Sequence, residues 1–252
     1  YPAYACGIVG IKPGLGKVPA FNPSAKVERS IGLQMMSVQG PHARKIEDLR
    51  LALNAMSSKG EIDPWWTPLK LNASNIKNPI KIAVNKWSGD VKCHSLVEGS
   101  IDKAASIFSN KGFKVVEIVP PNIEEAAECW RTIFGVEAKT FMLKLVKDFG
   151  SQAIINVVQG FIDAALKKEI NDYSDALSKR NGIIRKWQSF MQDYQVIISP
   201  VSASLPFNQN EDQKGPERFS KILQEQAPLY IVNLLGLPSV AVPIQINDNI
   251  PI

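Results

Sequence analysis

The stretch from residue 80 to residue 119 constrains the fold more than any other. Ile80 to Val84 (IKIAV) is a short apolar run that reads as a strand. Ser95 with Glu98 three positions later predicts a capping box, in which each side chain satisfies a free backbone donor at a helix start. Val97, Ile101, Ala104, Ala105 and Phe108 then recur at helical spacing as the buried stripe, and Gly112 is placed to end the helix in the left-handed conformation. Phe113 to Val119 (FKVVEIV) clusters β-branched and aromatic residues and reads as the next strand. Strand, helix and strand in that order define an α/β layered fold with parallel strands.

The flanking regions are consistent with this. Gly7 to Pro13 (GIVGIKP) is an apolar run closed by Pro-Gly, a buried strand entering a turn. A second apolar run, Leu33 to Val38, stops at Gly40-Pro41. Ile46, Leu49, Leu53 and Met56 predict an amphipathic helix over 44–58, and Pro64 and Pro68 around Trp65-Trp66 mark an irregular connection. Residues 122–194 read as a long helical region opened by Asn122 and Glu125, with Gly135, Gly150, Gly160 and Gly182 as its expected divisions. Gln195 to Ile198 reads as a strand stopped by Pro200, and 208–215 as a polar loop. A helix is expected over 217–232 with a bend at Pro228, and a last strand over 239–246.

Composition bounds the function. The chain has 252 residues, 45% hydrophobic and 21% charged, enough for a sizeable core in one large domain or two small ones. The formal charge of +5 raises a nucleic-acid reading. Against it, Lys167, Lys168, Lys179, Arg180, Arg185 and Lys186 are interleaved with Glu169, Asp172 and Asp175, the pattern of a solvated helix face. Cys6, Cys93 and Cys129 are too few and too scattered for a disulfide framework, which fits a cytoplasmic protein. No run approaches the roughly 20 apolar residues of a membrane span. The start at Tyr1-Pro2-Ala3-Tyr4 has neither an initiator methionine nor a signal-peptide layout, and reads as the middle of a longer sequence.

Residue chemistry alone supplies no catalytic apparatus. His42 and His94 are the only histidines, and without Cys-x-x-Cys or His-x-x-x-His no zinc site is expected. Cys93-His94 are neighbours in sequence without a further ligand beside them. There is no Gly-x-Ser-x-Gly elbow. Gly14-Leu15-Gly16-Lys17 lacks the spacing of a phosphate loop, and Val18 stands where that loop needs Ser or Thr, so it reads as a glycine turn. Glu124, Glu125 and Glu128 suit a helix start, where the macrodipole favours negative charge.

Four stretches taken in order change the picture. They are Pro2 to Pro13 (PAYACGIVGIKP), Gly40 to Leu49 (GPHARKIEDL), Ile197 to Pro200 (IISP) and Asn233 to Pro243 (NLLGLPSVAVP). Together they resemble the amidase-signature family, across residues 2–251. The resemblance implies a mixed, largely parallel sheet sandwiched by helices, with residues 1–252 as the C-terminal part of one such domain, truncated at both ends. Asp248-Asn249-Ile250-Pro251 is similar to a family stretch that normally continues into another strand.

It also implies a mechanism. The family hydrolyses amides with a Ser–cis-Ser–Lys triad, in which a neutral lysine deprotonates the nucleophilic serine through the bridging serine and an acyl-enzyme forms. Backbone N–H groups stabilise the oxyanion, and no metal or cofactor is required. By the family pattern the triad lies upstream of Tyr1, so no catalytic residue is assigned within the chain. The resemblance places the substrate pocket at the loop from Ser199 to Ser202 and at the helix side of Tyr230 and Asn233, with the first turn after Tyr1 backing the nucleophile loop. Val201 replaces the family's usual Thr. The implied partner is a small amide, with no nucleic acid, no membrane span and a homodimer compatible with it. A second reading is the amidase component of a glutamine-dependent tRNA amidotransferase, its A subunit. That component usually has an acidic residue seven positions before the Asn of the last motif, where this chain has Gln226. A third is a non-catalytic homologue. Trp130, Ile133, Phe134, Phe141, Met142 and Leu145 form a stripe that could line an acyl channel but reads first as core.

Overall fold

The computed structural model describes residues 1–25, 27–60, 62–68, 79–87 and 89–252. The chain opens with a short helix α1 (Pro2–Cys6), turned by Gly7, and enters strand β1 (Val9–Lys12). The apolar run after residue 30 is helical: α2 (Ile31–Met36) is followed by β2 (His42–Ala43) and α3 (Ile46–Met56), which buries Leu49 and Leu53. Next come β3 (Lys81–Val84), α4 (Ser95–Asn110) and β4 (Lys114–Glu117). Helix α5 (Ile123–Glu137) runs through a π turn (Ala138–Met142) into α6 (Leu143–Phe149), followed by α7 (Gln152–Ala164) and the long α8 (Ile170–Asp193). The chain closes with β5 (Val196–Ile198), α9 (Pro216–Glu225), α10 (Ala227–Leu235), β6 (Ser239–Ala241), β7 (Ile246–Asn247) and β8 (Ile250–Pro251).

The architecture is mixed α/β. Strands β4, β3 and β5 form a parallel sheet in that order, with Ile82 paired to Val115 on one side and Val196 on the other. As the central strand, β3 buries Ile82, Ala83 and Val84, while edge strand β4 leaves Lys114 and Glu117 exposed. Strand β1 belongs to a separate antiparallel sheet, β2–β1–β6, with Gly10 opposite both His42 and Ala241.

The parallel unit forms as its pattern predicts, except at the helix start. Ser95 is the first helical residue, and His94 is the cap, its Nδ1 accepting the Leu96 N–H at 3.2 Å. With His94 as the cap, Val97 and not Glu98 takes the third helical position, and the His94 N–H is donated to the Ala203 carbonyl at 2.7 Å, so no capping box forms. Gly112, at φ +84, ends the helix as expected.

The helical region divides differently from its glycines. Gly150 breaks the chain, but Gly135, Gly160 and Gly182 lie inside helices. Gly160 is there for contact: a Cβ would meet the Phe219 ring at 2.6 Å. The second break falls after Ala165, where Leu166 and Lys167 take positive φ. The helix expected over 217–232 is two helices parted at Gln226. Pro228 falls in the first turn of α10, where a missing N–H costs nothing, so it begins a helix instead of bending one. The last strand stops at Ala241, and the chain resumes pairing only at β7. The main core gathers around α5, which buries Ala126, Ala127, Trp130 and Ile133 against residues of α8, α9 and α10.

Candidate functional site

Residues 226, 230 and 233 are spaced i, i+4, i+7 and therefore share one face of α10. The Tyr230 hydroxyl donates to Gln226 Oε1 at 3.0 Å, and burial pushes the phenol well above its ordinary range. Its ring stacks on Trp130 at 4.0 Å, and Trp130 stacks on Phe134 at 4.9 Å, with interplanar angles of 10° and 7°. This ladder of three parallel rings joins α10 to α5.

Beside the ladder lies a cavity of about 210 Å³. Trp130 and Phe134 line one side, and Asn233 lines the α10 side. A further wall is α2 and the residues after it, Leu33, Met36, Ser37 and Val38. Lys12, the last residue of β1, completes the lining. Its ammonium donates to the Leu237 carbonyl at 2.8 Å and to the Pro13 carbonyl at 3.4 Å. Partial burial, with no ion-pair partner among the described residues, pulls Lys12 down to about 8.

The α2 wall is held from behind by Glu137, which is 1% exposed. Its carboxylate accepts from Ser30 Oγ at 2.6 Å, the Gly32 N–H at 2.6 Å, the Leu33 N–H at 3.1 Å and the Tyr173 hydroxyl at 2.8 Å. Two of these are otherwise unpaired donors of the first turn of α2. Gly32 permits the approach, since a Cβ there would lie 2.7 Å from Oε1. Sequence reasoning passed over Glu137, although its position gives it away. It follows Ala126, Trp130 and Ile133 at i+11, i+7 and i+4, a charge in register with a buried stripe.

The four residues expected at the pocket do not converge on this cavity. Asn233 lines it, and Tyr230 backs it through Trp130. Ser199 directly follows β5, at the carboxyl edge of the parallel sheet, and is half-buried. Ser202 is buried, its hydroxyl donating to the Glu225 carbonyl at 3.1 Å and accepting the Ser204 N–H at 3.3 Å. That loop adjoins the start of the chain: Tyr4 donates to the Ser204 carbonyl at 3.0 Å, and Tyr1 stacks on Phe207 at 5.3 Å. One end of the α10 face, at Gln226, thus approaches Tyr1, and the other, at Asn233, faces Lys12. Of the apolar stripe, Trp130 and Ile133 are core and Phe134 lines the cavity, whereas Phe141 and Leu145 are 60% and 53% exposed.

Cys93 and His94 make no pair. Burial raises the Cys93 thiol to about 11, and His94 caps α4. Among the described residues no group of three His, Cys, Asp or Glu side chains is placed to hold a metal ion. No described helix is long and apolar enough to cross a membrane.

Solved structures share this fold. A bacterial aryl acylamidase of the amidase-signature enzymes superposes with a TM-score of 0.72 over 99% of the chain and 54% of its own, at 21% identity. Fatty acid amide hydrolase superposes with a TM-score of 0.76 over 96% of the chain and 42% of its own, at 18% identity. The family model described as Amidase matches residues 1–252, and the chain belongs to that family. An indoleacetamide hydrolase of Bradyrhizobium diazoefficiens is 33% identical across 100% of this chain and 48% of its own length. The A subunit of the glutamyl-tRNA(Gln) amidotransferase of Caldanaerobacter subterraneus is 24% identical across 100% of the chain and 55% of its own. The chain spans about half the length of the curated relatives it matches.

Proposed function

We propose that the intact protein is an amide hydrolase that cleaves an aryl amide through an acyl-serine intermediate, and that residues 1–252 supply sheet and pocket elements. The observation that carries this reading is the ring ladder of Tyr230, Trp130 and Phe134 beside a cavity, in a chain 33% identical to an indoleacetamide hydrolase. The stacked rings present an aromatic, apolar wall that suits an aromatic acyl group. In this reading the nucleophile precedes Tyr1, and the amide lies toward the Gln226 end of the α10 face. Ser199 and Ser202 then shape the loop beside it, and Tyr230 and Asn233 the pocket side. The substrate is a small molecule, the reaction needs no cofactor, and the compartment is the cytoplasm, which the free thiols of Cys6, Cys93 and Cys129 support.

The amidotransferase reading draws on the 24% identical relative. Gln226 weighs against it, because this neutral side chain accepts a hydrogen bond from Tyr230 and brings no charge to hold an ammonium. Ammonia release by the intact protein separates the two. Release from indole-3-acetamide and phenylacetamide, with little from glutamine, supports the hydrolase. Release from glutamine alone, or from none of these amides, refutes it.

A further inference from the structure

We infer that the cavity beside α10 is a binding site for an arylcarboxylate, with the Lys12 ammonium meeting the anion and the Trp130 and Phe134 rings meeting the aromatic body. The proposal starts from an imbalance. Lys12 carries three N–H donors, of which one is well used, on the Leu237 carbonyl, and one makes a long contact to the Pro13 carbonyl. Among the described residues no carboxylate forms an ion pair with it. A cation withdrawn from water without an anion is costly, and a ligand that brings the anion offsets that cost. The depressed lysine agrees with such a site, since desolvation is what lowers it.

Arg180 provides the internal control. It is a more deeply buried cation than the half-buried Lys12, also held on carbonyls at the end of α10, donating through Nε to the Leu234 carbonyl at 2.6 Å. It does not line the cavity. Lys12 differs in lining the cavity, which two stacked rings also line. Asn233 and Ser37 line the same cavity, and among the described residues their side chains make no hydrogen bond. The cavity therefore joins an aromatic wall to one cation and two neutral polar groups. That combination fits a flat ring bearing a carboxylate better than it fits an aliphatic or cationic ligand.

Naming the physiological ligand rests on the hydrolase reading: cleavage of a primary arylacetamide by water leaves an arylcarboxylate and ammonia, and the cavity would take up the released acid with its carboxylate turned from the Gln226 end to Lys12. The binding itself is independent of turnover, and the test is built on that. The intact protein is titrated calorimetrically near neutral pH with phenylacetate and with 2-phenylethanol, which has the same ring but no charge and no cleavable amide. The expected result is about tenfold or greater preference for the acid, abolished in K12M, retained in K12R, and accompanied by unchanged binding of the alcohol. Should K12M fail to fold by circular dichroism, N233L provides a second variant, expected to weaken the acid severalfold more than the alcohol. Equal binding of acid and alcohol by the wild type, binding of neither, or an acid preference that survives in K12M overturns the proposal. A protein that prefers the acid yet releases no ammonia from any amide refutes the hydrolase reading instead.

Discussion

Glu137, behind the α2 wall of the cavity, is fully buried and Lys12, in its β1 wall, is half-buried, and neither has an opposite charge paired to it among the described residues. Glu137 is saturated: two backbone amides, a serine hydroxyl and a tyrosine hydroxyl point at its oxygens. Lys12 has carbonyls on one side and a cavity on the other. A buried charge surrounded by donors is a structural clasp, fixing α2 and hence Leu33 and Met36 against α5. A half-buried charge that lines a cavity is placed to meet a ligand. The difference lies in hydrogen-bond completeness, and burial alone would not reveal it.

Three substitutions sharpen this contrast, the largest effect first. E137A leaves four donors facing a void, two of them at the start of α2. It is expected to lower stability by about 3–5 kcal/mol in urea unfolding of the intact protein. A loss under about 1 kcal/mol would mean that the clasp is not structural. Y173F removes one donor and keeps the shape, and should cost about 1 kcal/mol by the same measurement.

K12M should change stability near neutral pH by less than about 1 kcal/mol, because it removes both a hydrogen bond and a desolvated charge. Its signature is the pH dependence. The folded-state value of Lys12, about 8, lies below the ordinary 10.5, so between these limits the unfolded chain binds more protons than the folded one. Stability contributed through Lys12 therefore rises with pH across that window, by on the order of 1–3 kcal/mol, and the rise is absent in K12M. Tyrosines and cysteines titrate there too, so the wild type minus K12M difference is the quantity to plot. A flat difference would show that Lys12 is not desolvated.

The same contrast explains what was legible in the sequence. The unit from β3 to β4 could be read because its information is local: two apolar runs, one stripe at 3.6 spacing between them and a glycine with positive φ. The face of α10 could be read for the same reason. The site could not be assembled this way, since its contacts join distant residues. Glu137 holds Gly32 across 105 positions, and Trp130 meets Tyr230 across a similar gap. Nor does sequence show that a hydroxyl is already occupied, as Ser202 is by the Glu225 carbonyl. The glycines of the helical region misled for a related reason. Gly160 reads locally as a helix end, but Phe219, distant in sequence, requires its missing side chain.

We propose that this chain frames the pocket of an amide hydrolase whose nucleophile lies outside residues 1–252. Rapid acid quenching of the intact protein during turnover of phenylacetamide, followed by peptide mass spectrometry, tests it most directly. The account predicts a phenylacetyl group on a serine N-terminal to Tyr1. An acyl group on any residue of 1–252, or turnover with no acyl-enzyme under conditions that trap one, would contradict it.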